Sequence, residues 1–245
     1  MRMPFLFLSP STQYFNLYVN EENERYWMNN IADAMTPYLL SSGVNVTRND
    51  PNGSVTTSIR QSNLGSYGFH LALHSNAAPE SMTGHLRGID AYYYPTSTEG
   101  LRMAEIIVDN LKPVYPLPER VQALPSSDIA ELRRTVAPAC LVELGYHDNP
   151  DDAAWIVSHI EPIAQSLALS VTEYFGLPFL TPSATYPAIV SETAALFGGP
   201  EPSFPVIATI AADTLVTVYN EYNGWYVVSS NGLMGYMQAQ YVTLQ

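Results

Sequence analysis

One imidazole and two carboxylates stand out as groups that could do chemistry. His74 ends an apolar run within residues 69–79 (FHLALHSNAAP), Glu24 begins a helical pattern, and Glu143 ends a second apolar run. An imidazole delivered by a packed strand is held by the backbone behind it, and the small residues Ser75, Asn76 and Ala77 leave space in front. Imidazole plus carboxylate is part of a zinc shell, and a second carboxylate can act as general base on metal-bound water, whose pKa drops to about 7. The alternative for His74 is a satisfied histidine at a strand end. The three residues lie far apart in sequence, so spacing alone leaves both readings open.

The elements that must position them follow from periodicity. A short strand at 5–8 runs into a polar and aromatic loop. Residues 20–40 then place Trp27, Met28, Ile31, Ala32, Met35, Tyr38 and Leu39 at helical spacing, with Glu21, Glu22 and Glu24 near the first turn, where the helix dipole favours carboxylates. Strands are expected at 44–47, 69–73, 88–94 and 138–142, and helices near 58–64, 98–111, 150–158 and 161–175. Asn149 and Pro150 read as N-cap and first helical residue. Alternating strands and helices indicate an α/β fold, a twisted mixed sheet with helices on both faces, in which reactive groups collect beyond one set of strand ends. His74, Glu143 and the loop after residues 5–8 sit at such ends.

Residues 176–187 are rich in Pro, Ser and Thr, lack periodicity and read as a linker. Beyond them there is no Lys or Arg, and short β-type runs at 188–190, 206–210, 215–219, 225–229 and 233–237 are separated by turns such as Asn223-Gly224 and Asn231-Gly232. That pattern suggests a small all-β barrel. The domains are therefore expected at 1–177 and 187–245, joined by 178–186.

Composition bounds the partners. With 47% apolar and 13% charged residues the chain of 245 is globular, with room for a full core and a smaller one. Ten Lys+Arg against 23 Asp+Glu give a formal charge of −13, which repels phosphate and argues against nucleic acid and anionic membrane as partners. No apolar run approaches the ~20 residues that span a bilayer. The start, MRMPFLFLSPSTQ, is read as a first strand rather than a signal peptide. A single cysteine, Cys140, excludes an internal disulfide and a cysteine-based zinc knuckle, and within an apolar strand it is a structural thiol.

Several segments resemble the zinc-dependent N-acetylmuramoyl-L-alanine amidases of the type-3 family: ERYWMNNIA at 24–32, HLALHSNAAP, GIDAYYY, and above all LRRTVAPACLVELGYHDNPDDA. The likeness spans about residues 4–176. It implies Zn²⁺ held by Glu24 and His74, with Glu143 as the catalytic acid/base. The family's first zinc ligand is a histidine in an Asp-Pro-Gly-His-Gly-Gly loop. Here residues 8–13 read Leu-Ser-Pro-Ser-Thr-Gln, with no histidine. His147, four residues after Glu143, is the candidate substitute, its alternative being to cap or pack the following helix. His85, Glu22 and Gln13 are weaker stand-ins, Gln13 the weakest because amide oxygen is a poor zinc ligand. His70, His85 and His159 are assigned to structure or surface. Arg87 and Arg133 could bind a substrate carboxylate, surface solvation being the commoner fate.

Residues 186–245 resemble a bacterial SH3 domain, with an Asn-Gly-Trp hairpin and a Gly-Tyr-x-x-x-x-Tyr ending. Its usual Asn-Leu-Arg segment is replaced by Ala195-Leu196-Phe197. Trp225, Tyr226, Tyr236 and Tyr241 are candidates for an aromatic groove or for core packing. Together the two resemblances imply a monomeric peptidoglycan hydrolase of the bacterial cell wall, an autolysin-type enzyme cleaving between N-acetylmuramic acid and L-alanine. The alternative is a catalytically degraded relative that only binds the wall.

Overall fold

Leu6, Phe7 and Leu8 are fully buried in the first strand, β1 (Phe5–Pro10), of a computed structural model that describes residues 3–19 and 22–245. Asn20 and Glu21, expected at the helix start, lie outside the described residues. Helix α1 (Glu24–Ser41) buries Met28, Ile31, Ala32, Met35 and Leu39, the stripe the periodicity marks. There follow β2 (Asn45–Arg48), α2 (Val55–Leu64), β3 (Phe69–Asn76), β4 (Ile89–Tyr93), α3 (Thr98–Leu111), β5 (Val121–Pro125), α4 (Ala130–Arg134), β6 (Ala139–Tyr146), α5 (Pro150–Ser158) and α6 (Ile160–Phe175). The six strands form one mixed sheet in the order β2-β1-β3-β6-β4-β5. Strands β1, β3 and β6 run parallel, and β4 runs antiparallel to β6. Cys140, the second residue of β6, is fully buried, and burial pushes its thiol pKa upward.

The described residues divide into two compact units, one of residues 6–19, 22–35 and 47–170, the other of 3–5, 36–46 and 171–245. In the first, Asp152 is fully buried and ties four segments together. Its Oδ1 accepts from Tyr115 Oη at 2.6 Å and Arg87 Nε at 2.9 Å, and its Oδ2 accepts from the backbone N–H of Gly88 and of Tyr146, both at 3.1 Å. Asn149 caps α5 by accepting from the N–H groups of Asp151 and Asp152, as the Asn-Pro pair predicts. Gly145, between Glu143 and this anchor, has φ +97°, and a Cβ there would meet the Asp152 carboxylate at 3.2 Å. Arg87 is also paired with Asp151 at 2.8 Å, so its guanidinium is engaged within the protein. Arg133 is exposed.

The second unit contains a seven-stranded antiparallel sheet. Its strands are β7 (Tyr186–Val190), β8 (Ala194–Phe197), β9 (Val206–Ile210), β10 (Leu215–Tyr222), β11 (Trp225–Ser230), β12 (Leu233–Gln238) and β13 (Val242–Leu244), in the order β13-β7-β10-β11-β12-β8-β9. Both Asn-Gly turns have positive φ at each residue (Asn223 48°, Gly224 80°; Asn231 50°, Gly232 80°), the geometry that matches strand twist in tight hairpins. Of the four aromatic residues singled out, Trp225 and Tyr236 are packed inside, and Tyr226 and Tyr241 are partly exposed. Tyr236 donates its hydroxyl to the Ser42 carbonyl at 2.8 Å. Asn45 makes a two-way bond with the Met234 backbone at 2.9 and 2.8 Å. Tyr236→Phe strands one buried carbonyl and is expected to lower stability by about 1–2 kcal/mol, read as a fall in the urea midpoint at unchanged slope.

Candidate active site

Strands β3, β6 and β4 set His74, Glu143 and Asp90 in one row, because His74 and Asp90 are each in register with Glu143 from opposite sides. Residues in register on neighbouring strands share a face of the sheet. The row lies near the end of β3, which runs on through Ser75 and Asn76, so the loop expected from residue 75 begins only at Ala77. A cavity of about 530 Å³ opens at His74 and Glu143, lined also by Ser11, Gln13, Tyr14, Phe15 and Glu131.

Helix α1 contributes Glu24 from its first turn, fully buried. Glu24 Oε1 accepts from His74 Nδ1 at 2.8 Å and faces the Ser75 N–H at 3.4 Å, and its Oε2 accepts from Asn16 Nδ2 at 2.6 Å. Burial alone would raise this carboxyl. The hydrogen bond and charge of His74 outweigh it and hold the Glu24 pKa below the usual range. The structure thus joins two residues that are fifty positions apart in sequence.

Helix α4 supplies a group the sequence does not advertise. Glu131 is buried, and its Oε2 lies 3.4 Å from His74 Nε2. Its Oε1 accepts from Ser9 Oγ at 2.7 Å and lies 3.1 Å from His70 Nε2, while His70 Nδ1 meets Ser62 Oγ at 2.9 Å. His70 and His74, separated by four residues on one strand face, are bridged by this single carboxylate. Burial would raise Glu131, and the bonds from His70 and His74 instead depress it strongly. Conversely, burial would lower His74, and the bonds to Glu131 and Glu24 raise it well above an ordinary histidine. The one available signal for Glu131 is its place between Ile129 and Leu132 in a short segment beside an apolar strand.

Glu143 differs from the other two glutamates. Its Oε2 is sealed from solvent and has no hydrogen-bond partner. Burial pushes its pKa up, and the carboxylates of Glu24, Asp90 and Glu131 add to this against the opposing His74, bringing it to about 7. A carboxyl at that value exchanges protons at neutral pH.

His147, buried, is engaged elsewhere: its Nδ1 lies 3.0 Å from the Ser75 carbonyl and 3.2 Å from the Ser75 hydroxyl, and its ring stacks on Tyr18 at 5.4 Å. His85 and Glu22 are exposed. Gln13 is the residue the loop brings to the pair, with its Nε2 3.3 Å from His74 Nδ1 and its Oε1 accepting from Asn16 at 3.1 Å. Among the described residues, no three His, Cys, Asp or Glu side chains converge on a point that could hold a metal.

Comparison with known proteins bears on the fold and the family. The fold is similar to that of the CwlD amidase from Clostridioides difficile, seen in complex with the GerS lipoprotein (15% identity, 70% of this chain and 98% of that one, TM-score 0.61). It is likewise similar to the amidase Ami1 from Mycobacterium smegmatis (17%, 70% and 96%, 0.61) and to the catalytic domain of the CD27L endolysin targeting Clostridioides difficile (22%, 70% and 97%, 0.56). No curated protein sequence matches the chain. Residues 192–243 match the model of the bacterial SH3 domain, and residues 15–173 match that of the N-acetylmuramoyl-L-alanine amidases. With the match covering most of the chain and the fold in agreement, this protein belongs to the N-acetylmuramoyl-L-alanine amidase family and carries a bacterial SH3 domain after it.

Proposed function

We propose that this chain cleaves the amide between the lactyl group of N-acetylmuramic acid and the L-alanine of the peptidoglycan stem, with Glu143 as the residue that moves the proton. The supporting observation is the place of Glu143: in register with His74, at the cavity, with an oxygen that has no partner in the protein. In the reaction the oxygen of water bonds to the carbonyl carbon and the C–N bond breaks. Glu143 takes the proton released by water and delivers it to the departing nitrogen. Incubating wall fragments with the purified protein and assaying new L-alanine amino termini tests the reading. Because the carboxylate form must accept the first proton, the rate is expected to rise with pH through about 7. A flat profile between pH 5 and 8, in about ten-fold steps of proton concentration, counts against Glu143 as the base.

The domain limits that go with this reading are a catalytic part at 1–177, a connection at 178–186 and a wall-binding part at 187–245. A wall-binding barrel keeps the catalytic part near polymeric substrate by raising its local concentration. The protein works at the cell wall as a monomer.

The family is generally zinc-dependent. Catalytic zinc takes three protein ligands plus water, and here Glu24 and His74 are the two donors at hand, with Ser11, Thr12 and Gln13, and no histidine, in the loop after β1. That donor set does not fit the ion, so no step is assigned to it. The same shortfall favours a second reading, a domain that binds wall without turnover. Retained binding to insoluble wall with no new amino termini selects it.

A further inference from the structure

We infer that the Glu24–His74 pair of this chain is closed by a direct hydrogen bond and retains no stoichiometric zinc, unlike the generally zinc-dependent family to which it belongs. Two donors on a tetrahedral zinc with arms of 2.0–2.1 Å stand about 3.3 Å apart. Glu24 Oε1 and His74 Nδ1 stand 2.8 Å apart, the distance of a charge-assisted hydrogen bond.

The remaining valences are filled as well. His74 Nε2 faces Glu131, Glu24 Oε2 holds the Asn16 amide, and Glu24 Oε1 also faces the Ser75 N–H. A centre built for a cation leaves buried acceptors without partners when the cation is removed. Here no polar atom of Glu24 or His74 is left in that state, whereas Glu143 Oε2 is.

The cause lies in the loop after β1. Gln13 stands at 3.3 Å from His74 Nδ1, and it presents a neutral amide that binds zinc weakly. Two side chains of the cluster therefore serve each other, and Glu131 and Asn16 hold them there.

The inference is tested by counting metal rather than turnover. The full chain is incubated with excess zinc chloride, desalted, and assayed for zinc by mass spectrometry, beside Gln13→His and His74→Ala. Wild type at background supports the inference. Gln13→His rising to about one zinc per chain, with a melting temperature that chelator lowers, identifies the loop position as the missing ligand. Background zinc in both chains keeps the inference and overturns the assignment of Gln13. Wild type holding one zinc per chain, lost in His74→Ala, overturns the inference. Because zinc is counted directly, the outcome is separate from whether wall is cleaved.

Discussion

Glu143→Gln removes release of L-alanine amino termini from wall fragments, a fall of about 10²–10⁴-fold, the size expected when a general acid/base is lost. The amide keeps the shape of the side chain and cannot carry the proton from water to the departing nitrogen. The fold survives, for a reason that fixes the sign of a second measurement. In the folded protein the Glu143 carboxyl titrates at about 7 instead of the usual 4.5. The folded state therefore binds more protons than the unfolded one between those values. The stabilisation from keeping this carboxyl neutral is fully present below pH 4.5 and is lost as pH rises through about 7. Glutamine is neutral throughout, so at pH 8 the variant is expected to be more stable than the parent, by up to about 3 kcal/mol, with no such gain at pH 4. Urea unfolding at the two pH values reads the difference. Equal release of amino termini by parent and variant would exclude Glu143 from the chemistry.

The largest loss of stability is expected for Asp152→Ala. That carboxylate is fully buried and receives Tyr115, Arg87 and two backbone N–H groups, so alanine leaves an arginine without its buried partner and three further donors unpaired. Leaving buried donors unpaired costs about 1–3 kcal/mol each, while Arg87, partly exposed, keeps Asp151 as a partner. Since the Tyr146 N–H is one of the four, the segment following Glu143 loses its anchor. Release of amino termini is expected to drop even at temperatures where the variant stays folded. Asp152→Asn, which keeps two acceptors on one oxygen, recovers part of the stability. A variant as stable as the parent would show that the four contacts carry little energy.

Much of this layout was legible in the chain. Apolar residues at helical spacing mark α1 and α3, the Asn149-Pro150 pair marks the start of α5, and the two Asn-Gly turns mark hairpins of the barrel. His74 and Glu143 are visible as polar residues that interrupt apolar strands, and the register between β3 and β6 puts them side by side. Strand β5 is hidden, because Val121–Pro125 is a short edge strand inside a proline-rich connection with no alternation to read. Strand β8 is hidden because its four residues, Ala194–Phe197, are too few to show an alternation. Glu131 is the most consequential residue missed. Its role depends on two histidines 57 and 61 positions away, and its apolar neighbours Ile129 and Leu132 are the one local hint of burial.

The seam at Ser42, Asn45, Met234 and Tyr236 bears on how such proteins are recombined. Leu180 also donates its N–H to Ser42 Oγ at 2.9 Å, and Asn220 donates to the Thr181 carbonyl at 2.9 Å, so the stretch before the barrel is itself fastened. A chimera that grafts residues 187–245 onto a foreign enzyme would leave Ser42 and Asn45 behind, baring the Tyr236 hydroxyl and the Met234 edge of the barrel. Transplanting this module intact means carrying a piece of α1 and β2 with it.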